Sequence, residues 1–185
     1  MAIRKVARLG HPVLRQRTRP LSKDEIRSAE MQRLVLDMVE TMHEYGGVGL
    51  AAPQVHEPIR LAVIEIDELS ERYKVDIEQP LLVIFNAQVT VLEAEPHGFW
   101  EGCLSVPGLR GYVERPRKVR IDYLDQDAHE RSIEAEGFLA TVFQHELDHL
   151  DGVLYVDKIK DPARFGFIEE YQRYHLDPDK EEAVD

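Results

Sequence analysis

The sequence contains a single cysteine, Cys103, so no disulfide can form within the chain. A lone thiol suits a reducing compartment, where it serves as a packing residue, a nucleophile or a metal ligand. No apolar run is long enough to cross a bilayer, and Met1–Lys5 leads into polar and basic residues rather than an apolar segment. The sequence therefore predicts a cytoplasmic protein without a membrane partner.

Basic side chains are also scarce. The chain has 23 Lys and Arg against 35 Asp and Glu, which gives a formal net charge of −12, and no long basic cluster offsets it locally. This balance disfavours direct nucleic-acid binding and is typical of a solubilising surface. The length of 185 residues fits one domain, which we expect to span residues 1–175. The acidic segment 176–185 is too polar to order itself.

Hydrophobic spacing predicts helices at both ends of this domain. Residues 1–20 have scattered apolar positions and predict an extended arm on the surface. Ser22 and Glu25 form a capping-box pattern, and apolar residues then recur at helical spacing as far as Gly46, which predicts one long amphipathic helix. A C-terminal helix is predicted over residues 161–174.

The middle of the chain is predicted to be mostly antiparallel β-structure. Short runs of alternating or β-branched residues are separated by turn signals, and the charged segment 67–80 is predicted to be a surface excursion. The predicted strands are 59–66, 81–85, 89–92 and a pair at 119–123 and around Ile133, which a turn at 125–127 connects.

One helix carries the clearest chemical pattern. Apolar side chains occur nearly all round the helix predicted at Phe138–Leu150, which is typical of a helix buried in the core. It contains His-Glu-x-x-His. Residues i and i+4 share one face of a helix, so His145 and His149 can bind one metal ion with Glu146 beside it. The predicted fold class is α+β, with mostly antiparallel sheets packed around this central helix.

Two imidazoles do not complete a tetrahedral metal site, so a third ligand must come from elsewhere. The extended pattern with a third histidine fails at Tyr155, which argues against a metzincin protease. A thermolysin-like enzyme would use a downstream carboxylate, for which Glu169 and Glu170 are the candidates. We favour Cys103 in Glu101–Ser105, because a thiolate binds divalent transition metals strongly. A Cys/His/His set also leaves one position open for water.

Three segments together resemble the motifs of the peptide deformylase family. They are the small-residue loop Gly47–Gln54, the segment Glu101–Ser105 and the segment Gln144–Leu150, in the family's order. The spacing and the predicted elements also fit, so the resemblance covers nearly the whole chain. It implies an enzyme that removes the formyl group from the N-terminal formyl-methionine of newly synthesised polypeptides and releases formate.

The resemblance also implies partners. The expected substrates are N-formylmethionyl peptides and nascent chains. In some bacterial members of the family a basic C-terminal helix helps docking at the ribosome, in a transient contact. The C-terminal segment of this chain, with Glu181 and Glu182, departs from that pattern because it is acidic.

The residues themselves support amide hydrolysis. A divalent ion on the Cys/His/His set lowers the pKa of a bound water, and Glu146 can take the proton and later protonate the leaving amine. Negative charge develops on the carbonyl oxygen during the attack. The side-chain amide of Gln54 and the backbone N–H of Leu104 are the candidates to stabilise that charge.

The family resemblance implies the contacts with substrate. Val48, Gly49 and Gly102 are expected to hold the peptide backbone in the manner of an added β-strand, and Arg110 is a candidate to approach the peptide. The methionine side chain is expected to enter an apolar pocket. The candidates to line that pocket are Phe99, Phe138, Thr141 and Val142.

The metal and the alternative functions complete the expectations. One divalent ion per chain is implied, with Fe²⁺ as the native ion and Ni²⁺ or Co²⁺ as substitutes, while the ligand set also suits Zn²⁺. Glu101 is a candidate to pair with Arg115 and thereby fix the segment Glu101–Ser105.

Two alternative functions remain. One is a zinc endopeptidase, and the other is a metal-binding module without catalysis. The expected mark of the second is a change at Glu146, Gln54 or Cys103, and all three are present.

Overall fold

A six-stranded β-sheet forms the centre of the structure. The computed structural model describes residues 2–66 and 79–176. The strands are β1 (Gly49–Ala51), β2 (Leu61–Ile66), β3 (Gln79–Cys103), β4 (Val106–Leu124), β5 (Glu130–Glu136) and β6 (Phe165–Phe167). Within the described residues the order is β1-β2-β3-β4-β5, β6 pairs with β4, and each neighbouring pair is antiparallel. The predicted antiparallel β-structure is confirmed.

Few helices accompany the sheet. In the described part of the chain the α-helices are α1 (Lys23–Arg27), α2 (Ala29–Glu44), α3 (Gly137–Leu150) and α4 (Ile168–Tyr174). None of them is both long and apolar enough to cross a membrane. A mixed fold of one antiparallel sheet and a few helices agrees with the predicted α+β class.

The N-terminal helical region is divided, although one long helix was expected. Ser22 and Glu25 form the predicted capping box at the start of α1. Ser28 then leaves the helical conformation: its hydroxyl donates to the carbonyl of Glu25 at 2.7 Å and accepts the N–H of Met31 at 3.2 Å. The side chain of Ser28 thus ends α1 and begins α2. The apolar residues keep their helical spacing across this break, so the spacing alone does not reveal it.

The β-rich middle also differs from its prediction in one respect. The runs expected at 81–85 and 89–92 belong to one strand, β3, which continues to Cys103. Shifts of register against β4, such as the one between Phe85 and Gln88, interrupt the alternation along it. The hairpin of β4 and β5 is confirmed, since Ile121 pairs with Ile133. Most of the expected surface excursion, residues 67–78, lies outside the described residues.

The C-terminal region is more divided than the predicted helix 161–174. A 3₁₀ turn at Pro162–Arg164 leads into β6, and only Ile168–Tyr174 is α-helical. Phe167 pairs with Leu109 of β4, so this segment is a β-strand because it forms backbone pairs with β4. The acidic segment predicted to be disordered falls outside the described residues except for Leu176.

The sheet separates two apolar clusters. Leu61 and Val63 of β2 pack into the cluster that contains the α2 residues, whereas the alternate residues Ala62 and Ile64 pack with Phe143 of α3. Eleven of the 14 residues of α3 are buried. The helix therefore lies in the core, and its polar side chains need partners there.

The N-terminal arm lies across the loop that contains Gln54 and the loop that contains Ser105. The N–H of Ala7 donates to the carbonyl of Gln54 at 2.7 Å, and the N–H of Leu9 donates to the carbonyl of Ser105 at 2.8 Å. Farther along, the N–H of Thr18 donates to the carbonyl of Leu150 at 2.9 Å. The arm thus fastens three distant parts of the chain to one another.

We expect Phe143→Ala to lower the free energy of unfolding by about 3 to 5 kcal/mol, because it leaves a cavity between α3 and the sheet. Phe143 has no exposed surface, whereas Leu36 on α2 is 52% exposed. Leu36→Ala should therefore change the free energy of unfolding by less than about 0.5 kcal/mol. Urea denaturation followed by circular dichroism measures both, and equal effects of the two substitutions would contradict this packing.

Candidate metal centre

Three buried donor groups meet where β3 ends against α3. Ligand atoms of Cys103, His145 and His149 all lie within 4.8 Å of one another. The Sγ of Cys103 is 3.3 Å from the Nε2 of His149. Two ligands of one tetrahedral zinc-like ion are about 3.5 Å apart, given metal–ligand bonds of about 2.0 and 2.3 Å. The spacing and the chemistry of this donor set fit a divalent transition metal.

The carboxylate of Glu101 orients His145. The Nδ1 of His145 lies 2.8 Å from the Oε2 of Glu101. An ionised carboxylate only accepts hydrogen bonds, so Nδ1 carries the hydrogen and Nε2 is the atom through which His145 would bind a metal. Burial is the largest cause that lowers the pKa of His149 well below its ordinary value, and the positive charge of Arg115 adds to it, so this imidazole stays in the neutral, metal-binding form.

Arg115 holds Glu101 in place. Its Nε and Nη2 donate to the two carboxylate oxygens of Glu101 at 2.6 and 3.0 Å, and its Nη1 donates to the Oδ2 of Asp148 at 2.7 Å. Both members of the Glu101–Arg115 pair are buried. Burial alone raises the pKa of Glu101, but hydrogen bonds from His145 and Arg115 outweigh it and lower the pKa below its ordinary value. The pair proposed from the sequence is therefore present, and it extends to Asp148.

The side-chain amide of Gln54 points at the same centre. Its Oε1 accepts the N–H of Ala51 at 2.8 Å, which leaves the Nε2 facing the other way. That Nε2 donates to the Sγ of Cys103 at 3.4 Å and to the Oγ of Ser105 at 3.2 Å. The N–H of Ser105 also lies 3.4 Å from the Sγ of Cys103. Two N–H donors therefore point at the sulfur of the proposed metal ligand.

Glu146 lies against the first loop rather than in the solvent. A Cβ on Gly49 would lie 2.5 Å from the Oε1 of Glu146, so only glycine allows this approach of carboxylate and backbone. The predicted loop is partly regular, since Gly49–Ala51 forms β1 and a 3₁₀ turn follows at Ala52–Val55. Pairing of β1 with β2 holds Gly49 beside α3. The carboxylate is thereby placed next to the donor group.

An apolar pocket opens beside Glu146 and His145. Its volume is about 340 Å³, including the open mouth. The rings of Phe99 and Phe138 meet edge to face, with centroids 5.6 Å apart. The structure brings all four residues expected from the sequence together in the lining of this pocket: Phe99, Phe138, Thr141 and Val142. Their role in binding substrate stays a prediction.

The remaining site candidates lie around a smaller hollow between the pocket and the donors. Val48, Gly49, Gly102 and Leu104 line this hollow. A Cβ on Gly102 would lie 1.6 Å from the Nη1 of Arg110, so the guanidinium lies directly over Gly102. Arg110 is buried in this position, which places it at the edge of the centre rather than in the solvent.

Two alternative ligand sources are not part of this centre. Glu169 and Glu170 are exposed on α4, outside the donor group formed by the described residues. Tyr155 occupies the position of the missing third histidine, and its ring stacks on that of His145 with centroids 5.9 Å apart. The ring of Tyr155 therefore packs against the face of the His145 imidazole.

Sequence reasoning missed two contributors. Trp100 lines the pocket next to Phe99, and the ring of Tyr171 from α4 lies 4.9 Å from it. Asp148 occupies a variable position within His-Glu-x-x-His, so the motif gave no signal for its contact with Arg115. Trp100 had a signal, since it lies between a pocket candidate and the Glu101 segment.

A family model described as "Polypeptide deformylase" matches residues 3–165. The chain belongs to this family. Peptide deformylases are metal-dependent hydrolases whose family function is the deformylation of nascent polypeptides. Among curated relatives, the peptide deformylase of Leptospira biflexa serovar Patoc is 46% identical over 170 residues, covering 92% of this chain and 95% of that protein.

Solved deformylase structures share the fold. One from Acinetobacter baumannii with Met-Ala-Ser bound is 35% identical, with a TM-score of 0.82, and the match covers 85% of this chain and 99% of that one. One from Synechococcus elongatus in complex with actinonin is 33% identical, with a TM-score of 0.76, and the match covers 93% of this chain and 86% of that one. The mixed fold is thus that of the deformylases.

We expect Arg115→Met to weaken metal binding about 10- to 100-fold, because Glu101 loses the partner that lets it orient His145. The uncompensated buried carboxylate should also lower the free energy of unfolding by about 3 to 5 kcal/mol. Competition with a chelator measures metal affinity, and urea denaturation measures stability.

The control is Arg117→Met on the same strand, whose exposed ion pair with Glu136 is 3.0 Å long. An exposed pair contributes about 0 to 1 kcal/mol, so this change should leave metal affinity intact. Equal metal affinity in the Arg115→Met and Arg117→Met proteins would refute the orienting role of Arg115.

Proposed function

We propose that this chain hydrolyses the formyl group from the N-terminal formyl-methionine of new polypeptides, with Cys103, His145 and His149 as the ligands of one divalent metal. The observation that carries the proposal is the meeting of these buried donors with the amide of Gln54 and the carboxylate of Glu146 beside an apolar pocket. Family membership supplies the reaction, and the geometry supports the residue roles.

The centre divides the reaction among its side chains. When bound, a divalent metal lowers the pKa of a water and polarises the formyl carbonyl. Glu146 takes the proton from the attacking water and returns it to the leaving amine, which requires one carboxylate to act first as base and then as acid. The Nε2 of Gln54 and the N–H of Leu104 stabilise the charge that develops on the carbonyl oxygen.

The pocket selects the first residue of the substrate. Val48, Gly49 and Gly102 hold the peptide backbone in the manner of an added strand, since β1 and the end of β3 border the hollow. The methionine side chain enters the pocket formed by Phe99, Phe138, Thr141 and Val142, which is apolar and closed by α3. The binding of Met-Ala-Ser to the Acinetobacter baumannii relative supports this assignment.

Arg110 has a supporting role in this proposal. Its guanidinium lies over Gly102, so it limits the space available to the peptide backbone at that point. Gly102 itself lines the central hollow, which supports a place for Arg110 close to the peptide.

The metal, the domain and the cellular setting belong to the same proposal. We assign Fe²⁺ as the native ion, with Ni²⁺, Co²⁺ and Zn²⁺ as possible occupants, because thiolate and imidazole ligands accept all four. Residues 1–175 form the catalytic domain, and the protein acts in the cytoplasm. It contacts the ribosome transiently to reach nascent chains, although the acidic residues 176–185 depart from the basic C-terminal helix of some bacterial members of the family.

Aerobic purification should inactivate the native enzyme as Fe²⁺ and the Cys103 thiolate oxidise, and reconstitution with Ni²⁺ under anaerobic conditions should restore formate release. The measurement is formate production from a formyl-Met peptide, with metal content determined on the same sample. A chelator-stripped protein is the control, and full activity in that sample would refute metal dependence.

Glu146→Gln should reduce formate release by about 10²- to 10⁴-fold, because the amide can neither take nor return the proton. Metal content should stay at the wild-type level, since Glu146 is not among the proposed ligands. The matched control is Glu136→Gln, which changes an exposed residue just before α3.

The same proteins test the endopeptidase alternative. Unformylated peptides should remain uncut at their internal bonds by the wild type under conditions where formyl-Met peptides release formate. Cleavage of internal bonds would favour the zinc endopeptidase, and wild-type turnover in Glu146→Gln would assign the base to another residue.

A further inference from the structure

A second, larger cleft adjoins the metal centre. Its volume is about 1130 Å³, including its open mouth. Cys103 and Leu104 line both this cleft and the central hollow, so the two spaces border the same end of β3. Lys5, Arg8 and Tyr45 form its outer wall. The mechanism described above uses none of these three side chains.

The two cavities on either side of the centre suggest a path for the peptide. The apolar pocket shares Val48 and Gly102 with the central hollow, whereas the larger cleft shares Cys103 and Leu104 with it. A substrate with its formyl group at the centre and its methionine in the pocket must direct the rest of its main chain elsewhere. The larger cleft borders the same strand end as the hollow and is open to solvent, so we consider it the route for that main chain.

The charge of this cleft is opposite to that of the chain. Lys5 and Arg8 are exposed, and neither makes an ion pair or a side-chain hydrogen bond with another described residue. No carboxylate of the described residues lines the cleft, although the formal net charge of the chain is −12. The other cations of the arm do have carboxylate partners: Arg4 with Asp37 and Glu57, Arg15 with Asp157, Arg17 with Asp151, and Arg19 with Glu25.

The arm holds the backbone at these two cations in place. Arg8 lies between Ala7 and Leu9, whose N–H groups donate to carbonyls of the Gln54 and Ser105 loops. Val6 and Ala7 are buried, so the segment is anchored by packing as well as by hydrogen bonds. Because the backbone is already anchored, only the two side chains must be ordered when an anion binds.

We propose that Lys5 and Arg8 form a subsite for carboxylate groups of the peptide downstream of its formyl-methionine, so that acidic residues there improve the substrate. This inference rests on the proposed function. A nucleic acid is the less suitable occupant, because its binding relies on many phosphate contacts, whereas two cations here adjoin the centre of an acidic protein.

The test compares formyl-Met-Ala-Ser peptides extended by Asp or by Lys, with kcat/KM for formate release as the measurement. The wild type should favour the Asp peptides about three- to tenfold at low salt, as expected for two exposed ion pairs. The ratio should fall toward one as salt rises, because the Debye length shrinks from about 10 Å at 0.1 M to about 3 Å at 1 M.

Variants identify the residues responsible. The double change Lys5→Gln and Arg8→Gln should bring the Asp-to-Lys ratio close to one, and Lys5→Glu with Arg8→Glu should invert it. The matched control is Arg17→Gln on the same arm, whose side chain is 84% exposed and lies outside the cleft. This control should keep the wild-type ratio.

The outcomes separate this inference from the function on which it rests. If the wild type releases formate from both peptide series equally, or if the double Gln variant keeps the preference, the subsite is refuted while deformylation stands. If no formyl-Met peptide releases formate, the proposed function itself fails. Loss of ribosome co-sedimentation in the double Gln variant, with an unchanged peptide ratio, would overturn the subsite and assign the two cations to RNA.

Discussion

The buried carboxylate of Glu101 is the contact on which both halves of the centre depend. It lies next to the end of β3 and reaches His145 on α3 at 2.8 Å, while Arg115 on β4 neutralises it through two hydrogen bonds. An ionised carboxylate in the core would be costly without these partners. Because the same group satisfies Arg115 and orients His145, the sheet cannot shift against the helix without breaking the ligand geometry.

Close contact between backbone and charged side chains is the second constraint. Gly49 admits the carboxylate of Glu146, and Gly102 admits the guanidinium of Arg110, at positions where any Cβ would collide. These glycines allow charged groups to approach the strands that border the hollow, and Gly49 of the first motif is a spatial requirement of Glu146 in the third. The small residues of the motifs thus have a steric role next to the chemical role of the histidines.

The sequence was most informative where one periodicity or one donor set dominated. The all-round apolar pattern of α3 and its two histidines located the buried helix, and the lone thiol of Cys103 identified the strand end that meets it. The division at Ser28 was not predictable from apolar spacing, because a local hydrogen bond causes it. Likewise β6 forms by pairing with β4, and contacts that depend on a distant partner leave no period in the sequence.

The hydrogen bonds of the N-terminal arm have a consequence for the order of assembly. They join residues near the start of the chain to the carbonyls beside Gln54 and Ser105, and a third joins the arm to the end of α3. Cys103 and His149 are separated by 46 residues along the chain. During synthesis the donor groups therefore cannot meet until α3 has left the ribosome, so this centre assembles late.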